Sequence, residues 1–168
     1  MYDKGDGVRQ NFSKAVKWYR LAAKQKNVSA QFNLGLMYYN GEGVTRDYER
    51  AVKWYLYAAR QGNIGAQFNL GWMFDKGEGV TPNYKRAIKW YRLAAKDGHV
   101  VAQFNLGLIY EKGERVTRDF DRALKWFLKA GNLGNADSQL KLAKIYDQGK
   151  DVAQDIQKAV KWYKLSAK

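Results

Sequence analysis

Hydrophobic positions along this chain fall into two alternating patterns, both with helical spacing. In residues 29–40, Ala30, Leu34, Gly35 and Tyr38 sit at i, i+4, i+5 and i+8, which predicts one buried face of a helix, helix A. The segment Gly41-Glu42-Gly43-Val44 follows, and its glycines can take the positive φ that ends a helix and turns the chain. Asp47 then fits an N-cap, a short acceptor for the free amides of a helix start. Helix B carries Ala51, Trp54, Tyr55, Ala58 and Ala59 at i, i+3, i+4, i+7 and i+8, a stripe that predicts burial against a neighbour. Its alanines let another backbone approach, and the indole is expected to fill the space left over. Gly62 ends helix B, and a connection of two or three residues leads into the next helix A, which makes neighbours antiparallel.

The pattern recurs at a step of 36 residues, seen at Trp18, Trp54, Trp90, Trp126 and Trp162 and again at Ala15, Ala51, Ala87, Ala123 and Ala159. The N-cap position reads Asn11, Asp47, Asn83, Asp119 and Asp155, and the stop after helix B reads Gly62, Gly98 and Gly134. A helix pair that cannot hide its own apolar stripe is stabilised by stacking on the next pair. The chain therefore reads as one domain over 1–168: a half repeat of helix B alone in 1–28, repeats at 29–64, 65–100 and 101–136, and a divergent repeat at 137–168. In that last repeat Ala143 replaces Gly35, Gly71 and Gly107, Asp151 replaces a loop glycine, and Leu140 replaces Phe32. Terminal repeats face solvent on one side and are often atypical. Met1-Tyr2 aligns with Met37-Tyr38, so the first helix A is expected to be missing. Either the chain is cut from a longer array, or another chain covers that face, which would permit self-association through the uncapped N-terminal end.

The run Ala-x-x-x-Leu-Gly-x-x-Tyr-x-x-Gly-x-Gly-Val-x-x-Asp-x-x-x-Ala-x-x-Trp-Tyr-x-x-Ala-Ala-x-x-Gly, from Ala30 to Gly62, resembles the Sel1-like repeat (SLR), a relative of the tetratricopeptide repeat. The tetratricopeptide period is about 34 residues, and the two added residues fall in the 41–44 loop. The resemblance covers the whole chain. It implies an all-α fold, a right-handed α-solenoid of antiparallel helix pairs, with helix A lining the concave wall. It also implies a non-catalytic scaffold or adaptor that binds a protein or peptide, as in bacterial secretion, envelope and signalling assemblies and in eukaryotic quality control.

On helix A, Phe32, Leu36, Tyr39 and, at the edge, Asn33 and Asn40 point away from the core set. They make rows: Phe32, Phe68, Phe104 and Leu140; Leu36, Trp72, Leu108 and Lys144; Asn33, Asn69 and Asn105, broken by Lys141. The phenyl rings either line a groove or fill the space between repeats. Trp72 stands where other repeats hold leucine or lysine, so it is either an interface anchor or a tolerated large side chain. The amides can bond an extended peptide, or they can serve neighbouring helices. Lys141 and Lys144 together would suit an acidic or carboxylate-ended ligand.

Charge adds one alternative. Net charge is +14. Helix B segments (11–26, 47–61, 83–97, 119–134, 155–168) hold 20 Lys and Arg against 6 acids, and the remainder holds 10 of each. Lys17, Lys53, Lys89, Lys125 and Lys161 form one row on the presumed convex wall, which could attract nucleic acid or anionic surfaces. The plain alternative is a solvated face, with Lys24, Arg60, Lys96 and Lys168 near helix ends where cations favour the dipole. No cysteine and one histidine, His99, leave no zinc or disulfide chemistry, and no cofactor motif is present. His99 reads as a surface turn residue, and Glu42, Glu78 and Glu114 as a solvated loop row. The Gly-x-Gly loops lack the Lys-Ser/Thr of a phosphate-binding loop and read as corners. No apolar stretch reaches a membrane span, and no apolar signal core follows Met1. Secreted cysteine-rich members of the resembling family have been linked to β-lactam binding; this chain lacks their cysteines and any Ser-x-x-Lys motif, so that activity is not implied.

Overall fold

A computed structural model describes residues 2–167 other than Lys4, Asp6, Val8 and Arg115; Met1 and Lys168, invoked above, lie outside the described residues. Among the described residues there are nine helices and no strand. Helix B of the repeat is α1 (Phe12–Lys24), α3 (Tyr48–Arg60), α5 (Tyr84–Lys96), α7 (Phe120–Asn132) and α9 (Ile156–Ser166). Helix A is α2 (Val28–Asn40), α4 (Ile64–Lys76), α6 (Val100–Lys112) and α8 (Ala136–Gln148). The fold class is the all-α repeat solenoid that the spacing predicts. The chain divides into two compact units, Met1–Leu93 and Ala94–Lys168.

Each helix starts on a side chain that accepts an amide three residues on. For helix B these caps are Asn11, Asp47, Asn83, Asp119 and Asp155, with N···O distances from 2.8 Å at Asp47 to 3.0 Å at Asn83. Replacing such a cap by alanine typically costs about 1 kcal/mol, so five caps set the phase of the repeat firmly. The loop glycines act as corners. Gly43 (φ +70°) and Gly79 (φ +69°) lie so close to the first turn of the preceding helix B that a Cβ would sit 2.4 Å from the carbonyl carbons of Phe12 and Tyr48. Lys26 stands where Gly62, Gly98 and Gly134 stand and holds the same turn at φ +63°.

In the first unit the core is built where a helix A glycine meets a helix B ring. An added Cβ on Gly35 would lie 2.6 Å from Tyr55, and one on Gly71 would lie 2.5 Å from Tyr91. The second unit repeats the contact between Gly107 and Phe127, at 2.4 Å. Leu34, Leu70, Leu106 and Leu142 are fully buried beside these contacts. The last repeat has no glycine at this position. Ala143 is buried there, and Tyr163 has swung out to 36% exposure with its hydroxyl 3.3 Å from Asp147.

This corrects one expectation. The tryptophans do not form an equivalent buried ladder: Trp18 is 61% exposed, Trp162 only 6%, and Trp54, Trp90 and Trp126 are half-buried. The buried anchor of helix B is the next residue, Tyr55, Tyr91 or Phe127, because that position faces the helix's own A partner. The indole position faces backward to the preceding helix B, as shown by Trp162, whose ring would lie 3.2 Å from a Cβ on Gly131 in α7. No helix B precedes α1 among the described residues, and Trp18 is correspondingly open. Glycine at 131, where earlier repeats carry Ala23, Ala59 and Ala95, leaves room for Trp162.

Gly71→Ala is expected to lower unfolding free energy by roughly 1–3 kcal/mol, the usual range for overpacking a well-filled site. A denaturant melt showing no loss would mean that Tyr91 can move aside freely.

Candidate functional site

The outward side of helix A carries the candidate residues, and packing claims part of it. Phe32 is half-buried, its ring 5.9 Å from that of Tyr55, and a Cβ on Gly65 of α4 would lie 3.0 Å from it. It therefore fills the space among α2, α3 and α4. Phe68 lies 5.8 Å from Tyr91, and in the second unit Phe104 lies 5.9 Å from Phe127. The phenyl row thus seals helix pairs, with each ring half-buried. Leu36 and Leu108 are half-buried.

In the first unit Asn33 and Asn69 lie beside the hydroxyls of the helix B tyrosines Tyr19 and Tyr55. Burial and a 2.6 Å bond from the Tyr19 hydroxyl to Asp3 push that phenol up to about 12, and the Asn33 amide beside it works in the opposite direction. Asn69 stands in the same relation to Tyr55, whose phenol is raised chiefly by burial; no hydrogen bond of regular geometry reaches its hydroxyl. The sequence keeps this pairing: tyrosine at 19, 55 and 91 goes with asparagine at 33, 69 and 105, whereas Phe127 goes with Lys141. Where the hydroxyl is absent, so is the amide.

Trp72 has a setting of its own. It is 37% exposed, with the Lys76 ammonium 4.9 Å from its ring centre. Beside it Tyr39 donates to Glu78 Oε2 at 2.9 Å and packs on Tyr48 at 5.2 Å between rings. Burial raises the Tyr39 phenol first, the Glu78 bond and charge add to this, and the Trp72 indole N–H opposes them. Glu78 is thus part of an ordered corner and not simply a member of a solvated row.

In the second unit Lys141 Nζ lies 2.8 Å from Glu111 Oε2, so its charge is already matched, while Lys144 is exposed. Arg118 closes the same region with a 2.6 Å bond to Asp151. These residues border an open cleft of about 340 Å³. On the helix B side, Lys17, Lys53, Lys89, Lys125 and Lys161 are all exposed. Among the described residues no cluster of three His, Cys, Asp or Glu side chains could hold a metal, and no helix is long and apolar enough to cross a membrane.

Two polar features escaped the hydrophobic pattern. Gln31, Gln67, Gln103 and Gln139 are buried, and each Nε2 donates to a carbonyl at the end of the preceding helix B, from Gln67 to Ala59 at 3.4 Å to Gln139 to Gly131 at 2.9 Å. Their step of 36 residues was the available signal; a polar residue flanking a core alanine does not register in an apolar stripe. His99 is the second. It is the N-cap of α6, its Nδ1 accepting from Ala102 N at 3.2 Å where other repeats use Asn27, Asn63 and Asn135, and burial lowers its pKa.

Comparison with known proteins follows the same period. The Sel1 repeat family model matches residues 1–27, 28–63, 64–99, 100–135 and 136–168. The chain is similar in structure to a Sel1 repeat protein from Oxalobacter formigenes, with 40% identity and a TM-score of 0.92, over 99% of this chain and 68% of that one. It is also similar to c5321, a protective antigen of uropathogenic Escherichia coli strains displaying an SLR fold, with 40% identity and a TM-score of 0.94. That match covers 99% of this chain but 36% of the antigen, so this chain spans little more than a third of it. Helicobacter pylori cysteine rich protein B shares the fold at 22% identity and a TM-score of 0.57, over 73% of this chain and 87% of that one. No curated protein sequence matches the chain.

Tyr55→Phe is expected to change stability by less than about 1 kcal/mol in urea melts, because the hydroxyl removed is buried without a regular bond; a loss above about 2 kcal/mol would show that Asn69 satisfies it. For His99 the folded pKa lies below the ordinary 6.5, so its contribution is present above pH 6.5 and is lost as pH falls through the folded value. Melting temperature should fall between pH 7.5 and 5 in the wild type and less so in His99→Asn. Equal slopes would remove the histidine cap from the account.

Proposed function

This chain belongs to the Sel1 repeat family, and from that premise we propose that it is a non-catalytic adaptor holding a protein or peptide on the outward face of its A helices. Sel1 repeat proteins generally act as protein-interaction scaffolds and are generally non-catalytic. The observation that carries the reading is Trp72. Like Tyr39, whose position holds Asp75, Glu111 and Asp147 elsewhere, it is a large aromatic on this face that the scaffold does not require, since Leu36, Leu108 and Lys144 fill its position in other repeats. It is also open to solvent, braced by Tyr39 and flanked by Lys76. A rigid indole half out of the surface is the type of side chain that dominates interface energetics. Half-exposed Leu36, Tyr39 and the rims of Phe32, Asn33, Phe68 and Asn69 extend the surface in the first unit; Phe104, Asn105 and Leu108 do so in the second.

A second reading has its own support in the exposed helix B lysine row, which would dock on nucleic acid or another anionic surface. Salt separates the two. Polyanion binding would weaken steeply with ionic strength and ignore Trp72, whereas docking on the A face would do the reverse.

Trp72→Leu installs a residue the repeat already uses, so its melting temperature should stay close to wild type. Affinity capture at about 150 and 500 mM salt should retain a defined set of proteins on the wild type and lose it on Trp72→Leu, by tenfold or more for an anchor worth about 2 kcal/mol. Identical captured sets would end the A-face reading, and capture dominated by nucleic acid at low salt alone would favour the helix B reading.

A further inference from the structure

The last repeat gains a lysine at three positions around one space, while Gln148 and Asp151 there replace Lys112 and Arg115. Lys141 stands where the preceding repeats hold Asn33, Asn69 and Asn105; Lys144 where they hold Leu36, Trp72 and Leu108; Lys150 where they hold Glu42, Glu78 and Glu114. All three lysines line one open cleft of about 340 Å³ that also contains Arg118. A solvent-facing terminal repeat calls for polar residues of either sign, and that alone does not account for neutral and acidic residues giving way to three lysines around one space.

The cleft already shows which partner its cations take. Arg118 donates to Asp151 Oδ1 at 2.6 Å and Lys141 Nζ approaches Glu111 Oε2 at 2.8 Å, both charge-assisted bonds to a carboxylate. Four cations against these two carboxylates leave an excess of two positive charges. Among the described residues Lys144 and Lys150 have no ion-pair partner, and both are exposed. The pairing of Lys141 with Glu111 therefore moves the free charge from Lys141 and Lys144 to Lys144 and Lys150. Phe120 and Ile145 give the cleft an apolar wall against which methylene stems can lie.

We propose that this cleft seats an acidic peptide segment of the protein partner, with Lys144 and Lys150 taking its carboxylates as Lys141 and Arg118 take Glu111 and Asp151; this rests on the adaptor reading above. The built-in acids argue against a nucleic-acid strand, because a continuous run of phosphates would meet the negative charges of Glu111 and Asp151, whereas separated carboxylates can settle between them.

The test is fluorescence anisotropy with the full chain at about 150 mM salt. The probes are a labelled peptide of four glutamates separated by glycines, the same peptide with glutamine, and a short single-stranded DNA. The double variant Lys144→Leu with Lys150→Glu restores what the preceding repeat carries, and its melt verifies folding. The glutamate peptide should lose at least about tenfold in affinity, since one favourable pair is removed and another is turned repulsive. It should lose less than twofold with Lys53→Gln and Lys89→Gln on helix B, and the glutamine peptide should bind neither protein measurably. The single variant Asp151→Asn, which releases Arg118, should tighten the glutamate peptide about two- to threefold and decides the matter if the double variant does not fold. Unchanged affinity in the cleft variants, an equal loss from the helix B variants, or DNA binding more tightly than peptide through Lys144 and Lys150 would each overturn the proposal. Trp72→Leu should leave the peptide's affinity unchanged, so the cleft and the adaptor reading are tested separately.

Discussion

Contact between a helix A glycine and the ring of a helix B aromatic governs the geometry of the three repeats that carry Gly35, Gly71 and Gly107. Where Gly35 meets Tyr55 and Gly71 meets Tyr91, the two helices come close enough that the ring lies on bare backbone, and the alanines of helix B are buried around it. Burying such a ring contributes on the order of 1.5–3 kcal/mol per repeat, and it sets the rotation of both helices about their axes. Once that rotation is set, Leu34 and Tyr38 must face in, and Phe32, Leu36 and Tyr39 must face sideways or out. The candidate binding face is thus a consequence of the core contact.

Polar groups close the seams that apolar packing leaves. Asn33 and Asn69 from the next helix A set an amide beside the hydroxyls of Tyr19 and Tyr55, the first of which donates to Asp3 while the second makes no regular bond. The buried glutamines tie each helix A to the carbonyl end of the preceding helix B, which would otherwise leave acceptors unmatched. The N-caps hold the phase of every helix. These demands recur in each repeat, and they explain why most rows on the repeat are uniform.

Departures from uniformity then become informative. Trp72 and the lysines at 141, 144 and 150 answer to no contact that the other repeats make, yet they lie on solvent-open surface of the first and second unit respectively. A scaffold repeated in sequence separates its own requirements from those of a partner, because what every copy keeps serves folding, and what one copy changes on an open surface is free to serve binding.

The sequence alone determined the repeat, its period, the helix pair, the caps and the corner glycines, since each depends on interactions within a few residues. It also singled out Trp72, because comparison between repeats needs no coordinates. Which aromatic of the Trp-Tyr pair is the anchor was decided only by tertiary structure: both lie on the same helical stripe, and a rotation of 100° per residue separates own-repeat from preceding-repeat contact. The placement of Asn33 and Asn69 beside tyrosine hydroxyls, the glutamine bonds and the matching of Lys141 by Glu111 likewise depend on side chains 8 to 39 positions apart meeting across helices, a distance over which local pattern carries no direction.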